Sequence, residues 1–111
     1  MLVAFSVAPS GIGPASAASD ASARADSVHD AVAAAVRIVR ESGLPNHTDS
    51  MFTTIEGEWN EVFDVIRRAT EAVGQYGARV SLVLKADIRP GHTGELTGKL
   101  ERLEAALGDQ Q

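Results

Sequence analysis

Residues 51–59 read MFTTIEGEW, and there two threonines, two glutamates and the chain's one tryptophan crowd around a single glycine. Such a set suits three kinds of chemistry. The carboxylates of Glu56 and Glu58 can attract a cation or a cationic ligand. They can also act as an acid/base pair, provided that their surroundings hold them in different protonation states. Or they mark the turn into a helix, whose positive end favours carboxylates. A spacing of two is common, and the intervening Gly57 turn disperses the two side chains, so the acid/base reading has little support. Glu58, and to a lesser degree Glu56, suits the helix start.

Other catalytic constellations are missing. His29, His47 and His92 are scattered and show neither HExxH nor another metal-ligand spacing. There is no cysteine, hence no thiol nucleophile, no disulfide and no Cys-based zinc or iron–sulfur site. GIGPASA and RPGHTGELTGK are glycine-bearing, yet neither is a phosphate-binding loop, since Gly98-Lys99 is followed by Leu100. We therefore expect no enzyme activity and no cofactor. The formal net charge of −5 and the lack of a dense Lys/Arg cluster argue against nucleic acid as a partner.

Periodicity indicates the scaffold that holds these residues. The 111 residues suit one domain over 1–111, and an aromatic share of 5% leaves the core to Val, Leu, Ile and Ala. LVAFSVA with ASA at 15–17 imitates an export signal. No basic residue precedes the apolar run, however, and Pro9, Gly11, Gly13 and Pro14 break up the segment behind it. No apolar run approaches the roughly 20 residues of a membrane helix. The expectation is a cytoplasmic protein without a membrane partner.

Residues 2–8 alternate as a strand, with Val3, Phe5 and Val7 on one face and Leu2, Ala4, Ser6 and Ala8 on the other. The Ala/Ser/Gly-rich stretch 10–25 reads as a flexible loop. A helix is expected from Asp26 or Ser27, with Ser27 and Asp30 imitating a capping box. Val28, Val32, Ala35, Val36 and Val39 recur along it at helical spacing. Gly43 suits a left-handed helix end, and Pro45 prevents continuation. Residues 47–56 suit one or two strands broken near Asp49–Ser50. A helix comes next with Trp59, Val62, Val65, Ile66, Ala69 and Val73 on one stripe, which favours core packing for Trp59. It ends at Gly74 or Gly77. Strand 79–87 carries Val80, Leu82, Leu84 and Ala86 on its apolar face. The last helix has a narrow seam of Leu96, Leu100, Leu103 and Leu107, suited to a partner helix or another subunit. The order predicts an α+β fold, a ferredoxin-like βαββαβ sandwich with an additional C-terminal helix.

Four segments in this order carry a family likeness: the opening strand ending VAPSG, the helix end VRESGLPN, TDSMFTTIEGEW and VSLVLKADIR. Together they resemble the thiamine-binding protein family, short ferredoxin-like proteins formerly of unknown function. The resemblance covers most of the chain, and TTIEGEW is its most telling part. It implies a ferredoxin-like domain assembled into dimers and tetramers through sheet faces and edges. It also implies binding of thiamine or its pyrimidine portion, with no known catalytic step. Residues 10–25 depart from it, being longer and richer in alanine than the family's short connection.

Thiamine carries a cationic thiazolium and an aminopyrimidine with a donor and acceptors. Its receptor needs a carboxylate or aromatic face for the first and hydroxyl or main-chain groups for the second. Ser6, Thr53, Thr54 and Glu56 are of these kinds. By strand alternation Thr54 and Glu56 share a face and Thr53 lies opposite. If Ser6 joins the Thr54/Glu56 face, those three form the leading pocket. The expected function is non-enzymatic binding of thiamine or a related pyrimidine by a homo-oligomer, dimer or tetramer, in vitamin salvage, delivery or sensing. The alternative is a regulatory or scaffold homo-oligomer that binds another small metabolite or a protein partner.

Overall fold

A computed structural model describes residues 1–11 and 21–108, with side chains from residue 28 onward in the second segment. In chain order the elements are β1 (Leu2–Ser10), α1 (Ala21–Glu41), β2 (Asn46–Thr48), β3 (Thr53–Glu56), α2 (Trp59–Val73), β4 (Arg79–Asp87) and α3 (Glu95–Gly108). The four strands form one sheet in the order β2-β3-β1-β4, and every pairing is antiparallel. This is the ferredoxin-like arrangement with one helix added.

Two periodicities meet in the core. Alternation along β1 and β3 turns Val3, Phe5 and Ile55 to one face, where they are buried. The 3.6-residue repeat of α1 brings Ala31, Ala35 and Val39 onto that face, and that of α2 brings Val62, Val65, Ile66, Ala69 and Val73. Apart from Phe5 every buried apolar side chain among the described residues is Val, Ile or Ala, in keeping with the low aromatic content. Gly43, at φ +78°, lets the chain leave α1 through the left-handed region. Gly77 allows the turn before β4 to pass against the end of β1. A Cβ there would lie 2.7 Å from that of Pro9 and 2.8 Å from the Ser10 main chain.

Several sequence expectations require correction. The helix backbone of α1 begins at Ala21, not at Asp26 or Ser27, so Ser27 lies inside the helix and not at its start. Alanines at 21, 23 and 25 favour that extension. Residues 12–20 of the expected loop lie outside the described residues. Trp59, the first residue of α2, is 54% exposed. Its ring stacks instead on Phe63, one turn on, with centroids 5.0 Å apart. Leu82 and Leu84 remain 39% and 38% exposed, since β4 is an edge strand and α1 and α2 pack chiefly over β1. Across the sheet from those helices lies α3, and its Leu100, Leu103 and Leu107 are exposed.

Candidate functional site

A mismatch in strand length opens a recess at one end of the sheet. Only Leu2–Phe5 of β1 pair with β3, whereas β1 continues beside β4 as far as Ser10. From Ser6 onward the other edge of β1 has no strand alongside among the described residues, and such an edge presents main-chain donors and acceptors. The turn between β2 and β3 stands opposite, and Val32, Ala35 and Val36 of α1 close the side. The cleft measures about 210 Å³, room for roughly seven waters at the ~30 Å³ each fills in the liquid.

Local sequence shapes the turn. Thr48 and Thr53 form the last pair of the hairpin, with their hydroxyls 3.0 Å apart. That contact uses one proton and one lone pair, leaving a second proton and further lone pairs for a ligand. Asp49 then folds the chain back on itself. Its Oδ1 accepts the backbone N–H of Met51 at 2.8 Å and of Phe52 at 2.9 Å, and its own N–H donates to the Phe52 carbonyl at 3.0 Å. The hydrogen bonds from Phe52 and Met51, with a smaller attraction from His47, hold the Asp49 carboxyl below the usual carboxylate range. It is therefore ionised at neutral pH, on the cleft wall. Phe5 and Phe52 add aromatic surface. The recess thus combines ring surface, paired hydroxyls, a bare strand edge and one negative charge.

The four site residues picked from the sequence are divided by the sheet. Pairing of Leu2 with Glu56 and Ala4 with Thr54 puts Ser6, Thr54 and Glu56 on one face and Thr53 on the other. Sharing a face does not assemble a pocket. Thr53 is buried and lines the cleft, and Ser6 lines it where β1 passes the end of β3. Thr54 lies beneath α3. Glu56 is only 7% exposed, and its carboxylate accepts the backbone N–H groups of Glu95 at 2.8 Å and Leu96 at 3.4 Å. It thus caps the first turn of α3. Glu58 is the N-cap of α2, and its N–H donates to Glu61 Oε1 at 3.3 Å in a capping box. Thr48, Asp49 and Phe52 escaped the sequence reading as site residues, since Asp49 reads there only as part of the break between strands. Among the described residues no group of three or more His, Asp or Glu could hold a metal ion.

The family model described as thiamine-binding protein matches residues 3–104. A UPF0045 protein from Mycobacterium bovis is 47% identical over 108 residues, covering 96% of this chain and 94% of its own. A DUF77 domain from Bacillus cereus shares the fold at a TM-score of 0.70 and 27% identity, over 89% of this chain and 85% of that one. A Thermotoga maritima structure named as a proposed thiamine biosynthesis/salvage protein superposes at 0.65 with 23% identity, over 90% of this chain and 96% of its own. The chain belongs to the thiamine-binding protein family.

Proposed function

We propose that this member of the thiamine-binding protein family binds thiamine, or its pyrimidine moiety alone, in the cleft between α1, β1 and the β2–β3 turn. The observation that carries the reading is the cleft's composition. The Thr48–Thr53 hydroxyl pair and the open edge of β1 suit an aminopyrimidine, which offers a donor and several acceptors. Phe5 and Phe52 provide ring surface, and ionised Asp49 attracts the thiazolium cation. Ser6 and Thr53 are the site residues from the sequence that take part, while Thr54 and Glu56 serve the other side of the sheet. The proposed binding involves no turnover, and we expect the ligand to be recovered intact after incubation.

The proposed setting is a cytoplasmic homo-oligomer, dimer or tetramer, acting in vitamin salvage, delivery or sensing. The exposed apolar edge strand β4 favours association, since an unpaired strand edge is a template for a second sheet. Light scattering at micromolar concentration should show more than a monomer. The alternative role, a scaffold homo-oligomer for another metabolite or a protein, would show the same association without any thiamine dependence.

The test is calorimetric titration with thiamine, the free hydroxymethylpyrimidine and the thiamine phosphates. We expect saturation near one thiamine per chain. Replacing Thr53 by Val keeps the shape, removes the hydroxyl and should weaken binding about tenfold, equivalent to one lost hydrogen bond of ~1.4 kcal/mol. No heat and no thermal stabilisation with any of these ligands would overturn the reading.

A further inference from the structure

β3 faces two compartments. Its Thr53 side opens on the cleft, and its Thr54 side opens on a separate cavity of about 390 Å³ between the sheet and α3. Leu2, Asn46, His47 and Thr54 line this second space from the sheet, and Leu96 and Leu100 line it from the helix. α3 does not settle into it. The helix is fastened instead by polar contacts around its first turns. Glu56 accepts the first N–H groups, Lys99 pairs with Asp87, and Glu95 pairs with Arg102 at 2.7 Å and with Arg89 at 3.8 Å. Such props hold the helix over the sheet and leave the apolar walls without a filling, unlike a close-packed interior.

The pairing of charges sets the class of occupant. Each charged side chain in these fastenings is already engaged, Lys99 by Asp87, Arg89 and Arg102 by Glu95, and Glu56 by main-chain N–H groups. An ionised ligand would shed its hydration and find no free opposite charge among them, a costly exchange. Neutral hydrogen-bonding capacity does remain. Asn46 spends its amide N–H on the Leu44 carbonyl at 2.9 Å, which leaves its amide oxygen as an acceptor, and the Thr54 hydroxyl can donate or accept. A mostly apolar cavity of 390 Å³ with a few polar groups falls within the usual ~300–1,000 Å³ of small-molecule sites. We propose that the cavity under α3 is a second ligand site, separate from the cleft, which takes a small, uncharged, largely apolar molecule with one or two hydrogen-bonding groups.

Two dyes of one skeleton test this: uncharged N-phenyl-1-naphthylamine and its 8-sulfonate. We expect the neutral dye to saturate near one per chain by fluorescence, with the sulfonate bound about tenfold more weakly or worse. Saturating thiamine should leave the neutral dye in place. Thr54→Phe fills the cavity, and Leu100→Glu charges its wall from an exposed helix position that the core does not use. Each should weaken the dye about fivefold or more, whereas Leu103→Glu, beyond the cavity on the same seam, should leave it unchanged. The proposal is overturned by no saturable uptake, by equal uptake of both dyes or by displacement with thiamine. Insensitivity to both Thr54→Phe and Leu100→Glu would also sink it. So would uptake that appears only as a dimer dissociates on dilution, which would make a second copy the occupant.

Discussion

The helices on the two sides of the sheet are held by different forces. On one side α1 and α2 are locked by buried Val, Ile and Ala packed on Val3, Phe5 and Ile55. On the other, α3 is attached by a carboxylate on its first N–H groups and by ion pairs, while most of its leucines remain exposed. Burial of apolar area is cooperative and fixes a structure, whereas a few polar fastenings allow local opening at low cost. The sheet between them is therefore rigid on its core side and adjustable on its α3 side. β3 belongs to both, with Ile55 in the core and Glu56 fastening α3.

The largest effect should come from the rigid side. Ile55 is fully buried, and Ile55→Ala should destabilise the whole fold by about 2–5 kcal/mol, read from urea denaturation. The neighbouring change Glu56→Gln should act locally. Loss of a charged cap costs ~1 kcal/mol, and hydrogen exchange should quicken along α3 while protection in α2 stays the same. Equal loss of protection in both helices would erase the contrast between the two sides. Thiamine affinity should be little altered by this change, because the Glu56 carboxylate faces α3 and not the cleft.

The smallest effect concerns pH. The hydrogen bond from Arg102, with further attraction from Arg102, Arg89 and His92, holds the Glu95 carboxyl below the usual glutamate range. A lowered folded-state value means that this contribution is complete above the unfolded value of ~4.3 and fades as pH falls through the lower one. Protection of α3 should therefore persist at pH 5 and decline below about 4, with Glu95→Gln removing that step.

Elements built on periodicity were legible from the chain alone. β4 spans 79–87 as the alternation indicates, the hairpin breaks where Asp49 and Ser50 stand, and α1 ends before the left-handed Gly43. Features that depend on distant partners were not. The amides that Glu56 caps lie 39 and 40 residues further on, so its carboxylate looked free for a ligand. The cleft exists because β3 stops pairing at Phe5 while β1 runs on, a matter of register that no local pattern shows. Trp59 fits the α2 stripe by spacing, yet spacing does not show that this first residue of the helix stays half exposed and stacks on Phe63.

An amide chemical-shift map of the uniformly labelled protein, titrated with thiamine, decides where the ligand sits. We expect saturable shifts concentrated at Phe5–Ala8, Val32–Val36 and Thr48–Thr53, with the first turns of α3 nearly still. Shifts gathered instead at Leu2, His47 and Leu96–Leu100, or along β4, would contradict the placement of the ligand in the cleft.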